Sequence, residues 1–365
     1  MTELGRRMWN VLPQGSVSQA FEPPSDDALT IALVNNMPDG ALQATERQFC
    51  RLLTAASNGI VVRLKFYSPP CLSRSAAARQ HISRYYEDFD ELERSSHDGL
   101  IVTGSEPRSE LLEDEPCWSS ISRLADWAED SAMPVIWSCL AGHIAVFHMD
   151  GIHRRRLAQK ASGVFECRVN TRAHPVLPGL PVEWVVPHSR LNGLQEDDLV
   201  THGYTILSRS REVGVDVFHR HHGALQLFFQ GHPEYEATTL LCEYRRDVKR
   251  YLAGEAAVFP RVPKGCIDVV DADRLKPFRL LAERRSDPGL LAELDNLIAQ
   301  APTESLGLSP ARRIYFSWLS YLHRRRRKQM RGYLQLPPVP TQSTCDVQHV
   351  SSAAPHPISM IGTNS

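Results

Sequence analysis

The sequence predicts a doubly wound, mostly parallel α/β sheet with an antiparallel extension and a C-terminal appendage. Three observations lead there. Four apolar runs of strand length, 29–35, 60–66, 98–103 and 133–138, are each bounded by turn residues. Helical patterns alternate with them over 41–57, 76–94 and 117–130, and that alternation suits a parallel sheet covered by helices on both faces. Beyond residue 160 the texture changes to strands with no long helix between them.

Taken in order, residues 1–28 form an N-terminal extension and 29–35 (LTIALVN) the first buried strand. In 41–57, Leu42, Thr45, Phe49, Leu52, Leu53 and Ala56 fall on one stripe of a helix, while 76–94 and 117–130 are more polar. Strands at 161–169, 182–186, 203–208, 213–219 and 224–230 read as the antiparallel extension, the last of them returning to the main sheet. A helix at 236–253 then closes a domain spanning 29–255. Residues 256–310 carry Pro260, Pro263, Pro277 and Pro288 among mixed helical stretches, and read as an insertion or lid. A C-terminal helix covers 311–330, aromatic across 311–323. Residues 331–365, Pro- and Ser-rich without periodicity, are expected to be a disordered tail.

Composition removes several function classes. Lys plus Arg is 41 against 42 Asp plus Glu, a net charge of −1 over 365 residues, so no global field favours nucleic acid or an anionic membrane surface. No apolar run reaches the ~20 residues of a membrane span, and the start MTELGRRMWNVLPQ lacks the apolar core of a secretory signal. A cytoplasmic protein is expected. The eight cysteines include no Cys-x-x-Cys pair, which argues against structural zinc and a disulfide framework. His219, His221 and His222 flank Arg220 without a carboxylate or cysteine at a recognised spacing, so no metal is expected. The basic runs 154–156 and 324–328 read as solvated ends, the second suiting the C-terminal dipole of the helix before it. Thr103-Gly104-Ser105 reads as a plain strand-end turn.

One cysteine stands apart. The run 133–138 ends in Trp137-Ser138-Cys139, and Leu140-Ala141-Gly142-His143-Ile144-Ala145 begins a helix rich in small residues. A sharp strand-to-helix turn exposes its side chain at the top of the sheet, where free helix N–H groups and the dipole favour a thiolate. A thiolate nucleophile needs a base. His232, in Gln230-Gly231-His232-Pro233-Glu234-Tyr235, follows the last strand, and the proline after it favours extended backbone. Glu234, two residues on, then projects to the same side and can orient the imidazole. Cys139, His232 and Glu234 are the expected catalytic triad.

These residues resemble the homoserine O-succinyltransferase family, a branch of the flavodoxin-like, class I glutamine amidotransferase-like fold. The resemblance rests on Asn36-Met37-Pro38, Thr45-Glu46-Arg47-Gln48-Phe49, Arg51-Leu52-Leu53, Asp98–Gly104 and Cys139. It continues through Lys160–Phe165, Pro187-His188-Ser189-Arg190, His232-Pro233-Glu234-Tyr235 and Glu243–Val248, with Tyr315–Leu319 echoing the C-terminal helix. It implies acyl transfer from an acyl-CoA, succinyl-CoA first, to the hydroxyl of an amino acid, homoserine first, in methionine biosynthesis. Cys139 would carry the acyl group, His232 act as base and Glu234 as its partner. Lys160, Ser189 and Arg246 match substrate-contacting positions. No cofactor is implied beyond the acyl-CoA co-substrate; a homodimer is left open.

The departures are specific. Asp39-Gly40 stands where the family has a lysine pair, which leaves room for an acceptor carrying an extra cation. Arg108 falls at the position associated with donor choice and is neither the glycine nor the glutamate found there; it would pair with a succinyl carboxylate. Two alternatives stay open: O-acylation of serine or another hydroxy amino acid, and a glutamine amidotransferase-like hydrolase. The second is disfavoured because Leu140, not glutamine, follows the cysteine. A binding protein on a decayed scaffold is a third reading, disfavoured by the intact triad.

Overall fold

The structure, a computed structural model, describes residues 9–11, 17–18, 28–170, 182–236, 238–267, 269–285, 287–300 and 309–334. The chain divides into two compact units, Met1–Arg326 and Arg327–Ser365; of the second, only the end of the last helix lies among the described residues, so most of the expected tail falls outside them.

The element order is β1 (Trp9–Val11), β2 (Val17–Ser18), β3 (Leu29–Val34), α1 (Asp39–Ala56), β4 (Val62–Tyr67), α2 (Ala76–Tyr85), β5 (Gly99–Val102), α3 (Trp118–Asp130), β6 (Val135–Ser138) and α4 (Leu140–Asp150). Then come β7 (Arg155–Val169), β8 (Glu183–Gly193), α5 (Glu196–Thr201), β9 (Thr205–Ser210), β10 (Gly214–His222), β11 (Ala224–Phe229), α6 (Thr239–Leu252), α7 (Val269–Arg285), α8 (Leu291–Gln300) and α9 (Ser309–Leu334). One eleven-stranded sheet runs β2-β1-β4-β3-β5-β6-β11-β10-β9-β7-β8. Its centre, β4-β3-β5-β6-β11, is parallel, and the flanks are antiparallel.

The parallel strands are buried on both faces, and their alternation sorts side chains between two layers. Ile31, Leu33, Ile101 and Ile136 meet Phe49, Leu52 and Leu53 of α1 with Tyr315, Trp318 and Leu322 of α9. Ala32, Val34, Val102 and Trp137 meet Ile121, Leu124 and Ala125 of α3 with Ile144 and Ala145 of α4. The chain leaves β3 first toward β4 and later, through β5, toward β6. Reversal of direction opens a crevice at the carboxyl ends of β3 and β5.

Three expectations change. The helix expected over 76–94 stops at Tyr85, whose following backbone turns extended so that the Glu87 N–H reaches the Phe66 carbonyl. The N-terminal extension contributes two strands at the edge of the sheet. The C-terminal helix runs on to Leu334, so the basic run 324–328 is helix interior: Arg325 donates to the Ala132 carbonyl and Arg326 to Asp98 and the Ala28 carbonyl. Within 256–310, α7 and α8 pack on α6 through Tyr244, Val248, Phe259, Leu275, Phe278 and Leu294.

Trp318 is fully buried, and its ring leaves no room for a Cβ on Gly99 of β5. Trp318→Ala is expected to destabilise the fold by about 3–5 kcal/mol, the usual cost of emptying an aromatic core site, read as a lower denaturation midpoint. A change below about 1 kcal/mol would mean that α9 does not close this face.

Candidate active site

β6 ends at Ser138, and Cys139 turns the chain into α4 with φ 49° and ψ −114°. A residue bearing a Cβ is strained there and stays only because its surroundings hold it. The Cys139 N–H donates to the Phe229 carbonyl at 2.7 Å, and its own carbonyl accepts from His143 at 3.1 Å. The first-turn N–H groups of α4, the helix that Cys139 opens, have no partner within the helix. Gly104 closes the other side: a Cβ on it would lie 2.7 Å from the Ser138 oxygen and 2.9 Å from the Leu140 nitrogen. The turn that reads as plain in the sequence is therefore the second wall of the elbow.

His232 follows β11, the parallel neighbour of β6. Its backbone N–H donates to the Pro187 carbonyl at 2.7 Å, and its Nδ1 lies 2.9 Å from Glu234 Oε1. The ring stacks on Tyr235 at 4.2 Å and interacts electrostatically with Cys139. Burial works against a charged imidazole here, but the Glu234 carboxylate and the Cys139 sulfur outweigh it and raise His232 well above its ordinary value. The three residues expected as a triad are in one place, all buried.

The residues matched to substrate contacts lie along α6 and the strands facing it. Lys160 Nζ is 2.6 Å from Asp247 Oδ2, and Arg246 reaches Asp247 Oδ1 at 2.8 Å and Glu106 Oε2 at 3.6 Å. Burial would raise the Asp247 carboxyl, yet Lys160 and Arg246 hold it below the usual range. Ser189 donates to Glu243, which also accepts from the Tyr235 hydroxyl at 2.7 Å. Glu106 takes Arg250 Nη1 on both oxygens, at 2.7 and 2.8 Å. Glu106, Asp247, Glu243 and Arg250 escape a reading that looks for single residues. The available signal is helical spacing, since 243/247 and 246/250 are one turn apart on α6.

Arg108 is placed in the crevice predicted at the strand ends. A cleft of about 200 Å³ there is lined by residues including Asn36, Pro38, Ser105, Arg108, Cys117 and Arg250. Asn36 ties the two loops together, its N–H donating to Thr103 Oγ1 at 2.9 Å and its amide to the Thr103 carbonyl at 2.7 Å. Glu115, almost fully buried, accepts the Arg108 and Ser109 N–H groups, and Arg154 clamps the same loop through the Ser109 and Glu110 carbonyls. Arg154 is thus not a solvated end. Asp39 is already engaged by Arg74 at 3.2 Å and the Ser75 N–H at 2.7 Å, which removes the reason to expect an extra cation on the acceptor.

Of the three histidines around Arg220, His222 points to Glu129, while Arg220 itself joins Asp150 and Glu129. Among the described residues, the donors that do cluster are Cys167, His188 and Asp216. Arg190 Nε donates to His188 Nδ1 at 3.3 Å, so the ring proton is on Nε2, facing Asp216 Oδ1 at 3.4 Å. With Nδ1 taken by Arg190 and the proton on Nε2, the ring has no lone pair left for a metal.

Fold and site together define an α/β protein with a cysteine on a strand-to-helix elbow beside a His–Glu pair. The homoserine O-succinyltransferase family model matches residues 19–326. Proteins named homoserine O-succinyltransferase are 44% identical over 311 residues in Bradyrhizobium japonicum, covering 85% of this chain and 94% of that protein, and 46% identical over 292 residues in Rhodopseudomonas palustris, covering 80% and 87%. The chain belongs to the homoserine O-succinyltransferase family. Among solved structures, a glutamine amidotransferase from Methylobacillus flagellatus aligns at TM-score 0.45 and 15% identity, covering 81% of this chain and 95% of that one. One from Thermotoga maritima aligns at 0.42 and 13%, covering 81% and 98%. The α/β architecture itself rests on the strand order of this chain.

A group whose folded-state pKa is raised contributes stability that is fully present below its unfolded value, about 6.5 for His, and lost as pH rises through the folded value. Glu234→Gln removes the carboxylate that offsets burial of His232. The stability gap between wild type and this variant should be widest below about pH 6.5 and narrow as pH rises. Thermal unfolding across pH checks it; a gap independent of pH would contradict the assignment.

Proposed function

We propose that the chain is an O-acyltransferase of methionine biosynthesis that moves a succinyl group from succinyl-CoA, through a thioester on Cys139, to the side-chain hydroxyl of homoserine. The observation that carries this reading is Cys139 at positive φ, interacting with a His232 whose Nδ1 is held by Glu234. Family membership supports the reaction class and both substrates. Cytoplasmic placement fits a chain whose described cysteines are all free and in which no described helix is long and apolar enough to cross a membrane.

The chemistry follows from the site. In this mechanism His232, which Glu234 holds toward its charged form, faces Cys139 reacting as a thiolate. Cys139 Sγ attacks the thioester carbonyl; the new C–S bond forms, the bond to the CoA sulfur breaks, and His232 gives its proton to the departing thiolate. Developing charge on the carbonyl oxygen is met by the first-turn N–H groups of α4. Acylation also removes the charge on Cys139, one of the contributions that kept the proton on His232. The neutral ring then takes the proton of the acceptor hydroxyl as that oxygen attacks the acyl carbon, and Cys139 leaves as thiolate.

Substrate placement rests on the charged groups around the elbow. Arg246, bidentate in geometry, suits the acceptor carboxylate, which competes with Glu106 for it. Glu243, Ser189 and Lys160 complete the polar wall. Arg108 and Arg250 line the cleft that starts one residue after Gly104, and they offer cations to the distal carboxylate of a succinyl group, which an acetyl group would leave without a partner.

A matrix of acyl-CoA donors against hydroxy amino acids, read by free thiol and product mass, tests the assignment. Succinyl-CoA with homoserine should be the fastest pair, with serine the next acceptor. Faster turnover with acetyl-CoA would remove Arg108 and Arg250 from donor choice. Ammonia release from glutamine without thioester cleavage would favour the hydrolase reading instead. Replacing the base, His232→Ala, should slow the chemical step by roughly 10²–10⁴ with the fold intact; a near-wild-type rate would exclude it as the base.

A further inference from the structure

The cleft at the strand ends is shaped by a buried ion pair. The side chains of Glu115 and Arg154 are only 1% and 5% exposed, and Arg154 Nη2 lies 3.4 Å from Glu115 Oε1. Between them they hold one short stretch of backbone. The Glu115 carboxylate accepts the N–H of Arg108 on its two oxygens, at 3.1 and 3.0 Å, and the N–H of Ser109 at 3.2 Å. From the other side Arg154 Nη2 donates to the Ser109 carbonyl at 2.7 Å and to the Glu110 carbonyl at 3.1 Å. Consecutive donors thus face an anion and consecutive acceptors face a cation, so every bond of the clamp is charge-assisted, the stronger class of hydrogen bond.

The two partners reach this loop from different parts of the fold. Glu115 stands just ahead of α3, its carbonyl accepting the Trp118 N–H at 2.9 Å, and Ser109 Oγ adds a bond to the neighbouring Asp114 carbonyl at 3.1 Å. Arg154 stands in the connection between α4, the helix that Cys139 opens, and β7. The start of the loop is fixed as well: Gly104 packs on Ser138 and Leu140, and Glu106 takes Arg250 on both oxygens. What stays outside the clamp is the Arg108 side chain. Of the two cations that line the cleft, Arg250 is engaged by Glu106, whereas Arg108 is exposed and forms no ion pair among the described residues. Its backbone is held, and its guanidinium is open to an anion entering the cleft.

We propose that Glu115 and Arg154 are positioning residues for donor choice: their buried pair fixes the backbone of residues 108–110, holds the Arg108 guanidinium at the cleft, and so sets how strongly a donor with a distal carboxylate is preferred over one without. The inference rests on the proposed reading of Arg108 as a cation that meets this carboxylate. A cation on a mobile loop has to be ordered as the donor binds, and that cost falls on the anionic donor it would favour. A loop clamped beforehand is spared it. Loss of either partner leaves the other as a buried charge without its counterpart, so the loop rearranges around it and Arg108 loses its place.

The preference is read as the ratio of kcat/KM for succinyl-CoA to that for butyryl-CoA, an acyl group of the same length without the distal carboxylate, using the full chain and saturating homoserine. Arg108→Met is the reference and should lower the ratio by about tenfold or more, the worth of a hydrogen bond to a charged group. Glu115→Gln and Arg154→Met should each lower it by about threefold to tenfold, through a higher KM for succinyl-CoA, with butyryl-CoA turnover and the KM for homoserine nearly unchanged. Arg154→Lys should restore part of the preference. Combining R108M with E115Q separates positioning from general damage: the ratio should equal that of R108M alone, because Glu115 acts through Arg108. An unchanged ratio in folded E115Q and R154M, an equal loss with both donors, or a further fall in the double variant would overturn the proposal. If thermal unfolding shows that E115Q or R154M does not fold, Glu115→Asp, which keeps the charge and shortens the reach, decides: a lowered ratio supports the clamp and a wild-type ratio overturns it. A ratio that R108M itself leaves unchanged would instead sink the reading of Arg108, and the inference with it.

Discussion

A side chain with a Cβ does not rest at φ 49° unless something holds it there, and Cys139 is held from three directions. β11 accepts its N–H, the first turn of α4 takes its carbonyl, and Gly104 fills the space against Ser138 and Leu140. Each support needs the parallel order β5-β6-β11: β5 delivers Gly104, β6 the cysteine, and β11 both the Phe229 carbonyl and, three residues on, His232. The two apolar layers that bury these strands are thus what keeps the elbow in its strained shape. Chemistry at the sulfur is downstream of packing at Trp318, Phe49 and Ile144.

Around that elbow, charge is arranged in matched sets. Glu234 and the sulfur offset the burial that works against a charged His232; Lys160 and Arg246 share Asp247; Arg250 and Arg246 share Glu106. A resting site so balanced has few uncompensated charges. On the proposed reading, substrate carboxylates would enter by exchange, taking cations from protein carboxylates already in place, which limits the desolvation cost of bringing an anion into a half-buried crevice.

What was legible in the sequence was what depends on local pattern. The buried strands show as short apolar runs, α1 as a stripe from Leu42 to Ala56, and the elbow as a cysteine between a strand and a run of small residues. His232 and Glu234 could be named as a pair from their spacing, but it is a turn, closed by the Tyr235 N–H on the His232 carbonyl at 3.1 Å, and not the expected extended chain that carries them. The rest needed contacts between distant segments. Nothing near Gly104 tells that it packs on Leu140, since 36 positions of chain separate them. Arg154 reads as one of three basic residues, yet it is the one buried against Glu115. The His188–Asp216 contact joins β8 to β10, which are not neighbours in the sheet order.

The central claim is that Cys139 carries the acyl group, and the most direct measurement isolates that step. The full chain is mixed with succinyl-CoA without acceptor, quenched in acid, and followed by intact and peptide mass spectrometry, then chased with homoserine. The account predicts one succinyl adduct, on Cys139, formed with stoichiometric release of CoA and discharged by homoserine to the O-acylated product. An adduct on another residue, or full turnover with no adduct on Cys139 at any time, would contradict it.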